Sequence, residues 1–135
     1  MNTSKFLTGT LAGTVVGLAL GFLIFGLALS GYMQENASAN EEPNMIWLII
    51  GHLAFAALIT YIFLQWANIR TAGTGAKAGA TIALLAALAF NFIYLGTTDL
   101  FPGGPVAATV DALGATVVWA IGGAVIGWVL GRGES

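Results

Sequence analysis

The chain has 135 residues, 58% of them hydrophobic and only 7% charged, with a formal net charge of −2. Its mean hydropathy is +0.89. A soluble domain carries about 25% charged residues, so this chain cannot cover its surface for water and reads as one integral membrane domain, 1–135. The charge balance leaves no basic footprint for nucleic acid. The absence of cysteine excludes disulfide exchange, Cys-ligated zinc and iron–sulfur clusters, and a single histidine excludes an intrachain multi-His metal site. No metal or cofactor is expected.

The first apolar stretch, GTLAGTVVGLALGFLIFG, places Gly9, Gly13, Gly17 and Gly21 at every fourth residue. On a helix this spacing gives one small-residue face. In lipid, such a face lets another helix approach backbone to backbone. The run from Phe6 to Tyr32 is longer than the roughly 7–15 residues of a signal-peptide core, so it is expected to be a retained spanning helix. The partner of its glycine face is open between the third spanning helix of the same chain and the first helix of a second copy.

A bilayer core needs roughly 20 helical residues, and four segments qualify: about 5–32, 44–68, 75–98 and 105–131. The first connection, MQENASANEEP, is acidic. Glu41, Glu42 and Pro43 suit the start of the second span. The third connection, TTDLFPGGP, must turn. Short connections make sequence neighbours antiparallel, so the expected fold is an all-α, four-helix transmembrane bundle running up-down-up-down. Lys5, Arg70, Lys77 and Arg132 fall on one side, and Glu35, Glu41, Glu42 and Asp99 on the other. The positive-inside rule then predicts a multi-pass protein of the bacterial inner membrane with both termini cytoplasmic. Trp66 and Trp128 are expected at the inner boundary, Tyr32, Trp47 and Phe101 at the outer one, and Trp119 inside the bundle.

The two halves show similarity that a tandem repeat of a helical hairpin would explain. GTLAG at 9–13 resembles GAKAG at 75–79, and FLIFG at 22–26 resembles FIYLG at 92–96. Small residues also line the later spans, with Gly75 and Gly79 in the third and Gly123 and Gly127 in the fourth. Each of the last three spans carries one polar residue on such a line: His52, Asn91 and Asp111. Counting about 1.5 Å per residue, all three are expected at similar depth in the outer half of the membrane. Charged and polar groups there usually face the bundle interior or water. The three could therefore form a hydrogen-bonded cluster, or an Asp–His pair could move a proton. The bland alternatives are interhelical hydrogen bonding by His52 and Asn91 and solvation of Asp111 near the headgroups. Tyr61 and Gln65 form a second polar pair on the opposite face of the second span, which suggests that both faces of that helix meet protein, a partner or a second copy; the bland alternative is anchoring at the membrane interface.

The Gly51-His52 pair, GAKAG before the third helix, Asn91 with Phe92 and Tyr94, and Asp111 near the start of the fourth helix resemble small uncharacterised four-helix bacterial inner-membrane proteins of the domain-of-unknown-function type. That resemblance implies a fold and transfers no site. No nucleophile–base pair, metal set or cofactor motif is visible. The function expected first is therefore non-enzymatic: a lipid-embedded protein that forms a homo-oligomer or serves as an accessory subunit with other membrane subunits. The alternative is a small transporter or proton or ion pathway through the polar cluster.

Overall fold

The computed structural model describes residues 1–40 and 42–133. It is all-α, with no strand among the described residues. Helix α1 spans Thr3–Gly21 and continues as a π-helical stretch, Phe22–Ala28. A short α2 follows at Ser30–Asn36, then α3 at Met45–Ile62 with its own π-helical end, Phe63–Ala67. The chain closes with α4 at Ala72–Thr97 and α5 at Gly104–Gly131. Among the described residues four segments are long and apolar enough to cross a membrane: Thr3–Ala28, Met45–Ala67, Ala72–Thr97 and Gly104–Gly131.

Local chemistry sets the boundaries. The Asn2 side chain accepts from the Lys5 amide at 3.0 Å, and the Asn44 side chain accepts from Ile46 at 3.0 Å and Trp47 at 3.4 Å. Thr71 accepts from Thr74 at 3.2 Å. All three satisfy amides that the first helical turn leaves open. The cap of α3 is thus Asn44, and Pro43 lies ahead of the helix rather than in its first turn. Glu41 lies outside the described residues. Gly104 opens α5 at φ +70°, a left-handed conformation that glycine adopts without steric cost.

The first span is not one straight helix over 5–32. It widens into the π turn at Phe22 and breaks at Leu29, whose amide reaches back to the Ile24 carbonyl at 2.7 Å. A four-residue line on an α-helix drifts around the axis, because four residues exceed one turn. The wider π turn slows that rotation. Phe25 and Leu29, which continue the glycine line, therefore still meet α5, where both lie against Gly114.

Neighbouring helices run antiparallel. Gly9, Gly13 and Gly17 of α1 meet Thr60, Ala56 and His52 of α3, and also Leu130, Ile126 and Trp119 of α5. The partners of the glycine face are therefore α3 and α5 of the same chain, not the third span or a second copy. On its other side α5 takes α4, with Gly75 and Gly79 against Gly123, and Gly127 against Gly75 and Thr71. The spatial order is α3, α1, α5, α4. The flanking helices α3 and α4 stay apart at the end bearing the termini and leave a groove there of about 490 Å³.

The main core joins Ala56, Ile59, Phe63, Val118, Trp119, Ile126 and Leu130. A second, smaller core at the acidic end joins Phe101, Ala107 and Ala108, covered by Tyr32, Met33, Leu95 and Leu100. Phe101 is thus buried instead of lying in an outer aromatic belt, whereas Trp47 and Trp66 are largely exposed. Helix α2 is stitched to the α4–α5 turn: Ser38 N donates to Leu100 O at 2.8 Å, and Gly103 N donates to Asn36 O at 3.1 Å. The hairpins also differ in detail. Residues 22–26 are π-helical, whereas 92–96 lie within regular α4.

Candidate functional site

The closest helix contact is between α4 and α5, where glycine brings backbone onto backbone. A Cβ added at Gly75 would collide with the Gly123 carbonyl oxygen, and one at Gly79 with the Trp119 carbonyl oxygen. Gly123 meets the Gly75 carbonyl and Gly127 the Thr71 carbonyl in the same way. At such separations a glycine Cα–H points at a facing carbonyl, a weak attraction that recurs between membrane helices. The α1 face is different. Its glycines receive side chains: a Cβ at Gly13 would sit 2.6 Å from Ile126 Cδ1, and one at Gly9 would sit 2.8 Å from Thr60 Cγ2.

Further toward the acidic end, Asn91 is buried on α4 and donates across to α5. Its Nδ2 lies 2.7 Å from Asp111 Oδ2 and 3.0 Å from the Ala108 carbonyl oxygen. One amide group thereby satisfies a carboxylate and an extra main-chain acceptor. Asp111 itself is half-buried.

His52 does not join this pair. Its Nδ1 lies 2.8 Å from the Leu48 carbonyl one turn earlier. A carbonyl only accepts, so Nδ1 carries the proton of that bond and Nε2 is left as an acceptor in the neutral ring. The ring faces Gly17 and Gly21 of α1 and stacks on Trp119, centroids 6.0 Å apart and planes 30° apart. Trp119 lies eight residues beyond Asp111 on α5, about 12 Å along the axis. The expected three-residue cluster therefore separates into an Asn91–Asp111 pair between α4 and α5 and a His52–Trp119 contact on the α3 side of α5. A shallow cleft of about 230 Å³ opens beside His52, lined by Trp47, Gly51, Phe55 and Trp119.

Tyr61 and Gln65 do not face a neighbouring helix. Both are exposed, and Tyr61 meets Trp66 of the same span edge-on at 5.5 Å. Among the described residues no group of three or more His, Asp or Glu side chains could hold a metal ion.

Sequence reasoning missed two features. Thr10 and Thr60 carry buried hydroxyls without a hydrogen-bond partner. Most helical threonines here bond the carbonyl one turn back, as Thr14 does to Thr10 at 2.8 Å, and spacing does not reveal which ones fail to. The second feature is the groove between α3 and α4, lined by Ile62, Ile69, Ala78 and Ile82 with Lys77 among its residues. GAKAG held the signal: a lysine between two glycines that bind α5 must sit on the opposite side of α4.

Fold and composition define an all-α, multi-pass integral membrane protein. No protein-family model matches the chain, and searches of curated proteins and of solved structures return no match.

Proposed function

We propose that the protein is a non-enzymatic subunit of the membrane that acts by association within the bilayer, with copies of itself or with other membrane proteins, in a bacterial inner membrane with both termini cytoplasmic. The observation that carries this reading is the helix layout. α5 is central and 44% buried along its apolar stretch, whereas Thr3–Ala28, Met45–Ala67 and Ala72–Thr97 bury only 17%, 22% and 17%. These three spans therefore offer most of their length to lipid or to other helices. The placed polar side chains tie this chain together instead of lining a path: Asn91 bonds α4 to α5, and His52 bonds its own helix. The gathering of Lys5, Arg70, Lys77 and Arg132 at the end with the termini supports the orientation, as Lys5 Nζ and an Arg70 guanidinium nitrogen reach the same Leu130 carbonyl at 3.2 and 3.4 Å.

The test is the mass and composition of the particle extracted from native membranes in mild detergent. A particle holding several copies, or this chain with other subunits, supports the proposal. A single copy that also fails to cross-link to itself or to any neighbour in intact membranes overturns it.

The half-buried carboxylate of Asp111 beside Asn91 favours a second reading, a small proton or ion pathway. On that reading a pH-dependent flux in reconstituted vesicles is lost in Asp111→Asn. Equal flux in both proteins, or none in either, rejects it.

A further inference from the structure

We propose that the groove between α3 and α4 is a binding site for one anionic phospholipid, with the acyl chains laid against the groove and the phosphate held by Lys77. The groove runs from Ile62, Ala67 and Ile69 on the α3 side to Thr74, Lys77, Ala78, Thr81 and Ile82 on α4. It exists because the two helices joined by the shortest connection do not pack. α3 ends in a π turn closed by Asn68 in a left-handed conformation, φ 47°, and α4 is drawn away by its glycine contacts with α5.

The groove is open on its lipid side and runs about 12 Å from Thr74 to Ile82 at 1.5 Å per residue, with a volume of about 490 Å³. That length takes the first part of a lipid's acyl chains, which continue into the surrounding bilayer. The lining agrees, being aliphatic along its depth.

Charge selects the headgroup. Lys77 is the sixth residue of α4, about 8 Å inside the helix end, where a lysine is costly unless its ammonium reaches the interface or meets an anion. No protein partner for it is present among the described residues. The same end carries Lys5, Arg70 and Arg132 and, among the described residues, no carboxylate. Basic pockets between membrane helices on the cytoplasmic side suit acidic lipid headgroups.

The experiment adds phosphatidylglycerol or phosphatidylcholine to delipidated full-length protein in detergent and reads the lipid bound per chain by native mass spectrometry. Phosphatidylglycerol should bind one per chain in preference to phosphatidylcholine. Lys77→Gln should weaken it about five-fold, the effect of one basic residue near the membrane surface, and Lys77→Arg should retain it. Thr81→Phe, an exposed position on the groove wall, should displace the lipid without removing charge. Equal retention of the two lipids, undiminished phosphatidylglycerol binding in Lys77→Gln, or a second copy cross-linked across the groove would each overturn the proposal. Unchanged helical content and particle size of the variants separate lost binding from lost fold.

Discussion

Gly79 and Gly123 face each other with no side chain between them: a Cβ built on Gly79 would lie 3.0 Å from the Gly123 Cα. Even a methyl group would force α4 and α5 apart, and the facing atoms are main chain that cannot rotate away. Gly123→Ala or Gly79→Ala is expected to destabilise the fold by about 1–3 kcal/mol, the range for overpacking a well-filled interface. Gly51→Ala and Gly96→Ala enter open space and should range from neutral to about 1 kcal/mol stabilising, since alanine is the better helix former. Reversible unfolding in mixed micelles of the four variants gives the comparison.

The Asn91 amide is a donor that the interface uses twice. Asn91→Ala should cost about 0.6–2 kcal/mol, the range for an interhelical hydrogen bond in a membrane. Asp111→Asn leaves an amide oxygen able to accept the same bond, so it should be tolerated with little loss. Unfolding of both variants by the same method tests this. An Asp111→Asn loss as large as that of Asn91→Ala would show that the negative charge, rather than the hydrogen bond, holds the contact.

Thr60 is fully buried, and its hydroxyl has no partner. Valine has nearly the same shape without the polar atom. Thr60→Val should therefore leave the protein as stable or stabilise it by about 1 kcal/mol, because an unsatisfied buried polar group is removed. A loss of more than about 1 kcal/mol would mean that the hydroxyl is bonded in the membrane-embedded protein.

Trp119 fills the space where α1, α3 and α5 meet, against Phe55 at a centroid distance of 4.8 Å and against His52. Trp119→Ala should cost about 3–5 kcal/mol by opening a cavity, and it should raise the reactivity of His52 toward an imidazole-modifying reagent. Gly13→Leu acts from the other side, since its first carbon already meets Ile126 Cδ1 and Ala56 Cβ at 2.6 and 3.1 Å. That variant should lose the monomer fold itself, not only a contact between copies.

How far these contacts could be read in advance depends on their range. The four-residue glycine line on α1 and the opposed glycines of α4 and α5 are visible from helix periodicity alone. Their partners are not, because a small-residue face accepts any helix that can come close. The same limit explains His52. Counting residues along the helices puts it level with Asp111, but it lies level with Trp119, eight residues away on α5, and which side of α5 each neighbouring helix takes separates the two further. Once α1 lies between α3 and α5 on one side and α4 lies on the other, His52 reaches Trp119 and Asp111 reaches Asn91. Loop position alone puts Phe101 in an aromatic belt. Its burial required α2 to fold over the α4–α5 turn.

Residue content and order already settle the solvent and the helical elements. Few charges, long apolar runs, and Asn, Thr and Gly at the breaks dictate four helices long enough to cross a membrane, since unpaired backbone groups are not tolerated in hydrocarbon. The sequence also determined which faces are small enough for close packing. The order of the helices, the separation of His52 from the Asn91–Asp111 pair, and the groove beside Lys77 emerge only when the helices pack. In lipid these choices carry no hydrophobic driving force between helices. They rest on short-range packing and a few hydrogen bonds, which depend on the final positions of atoms far apart in the chain.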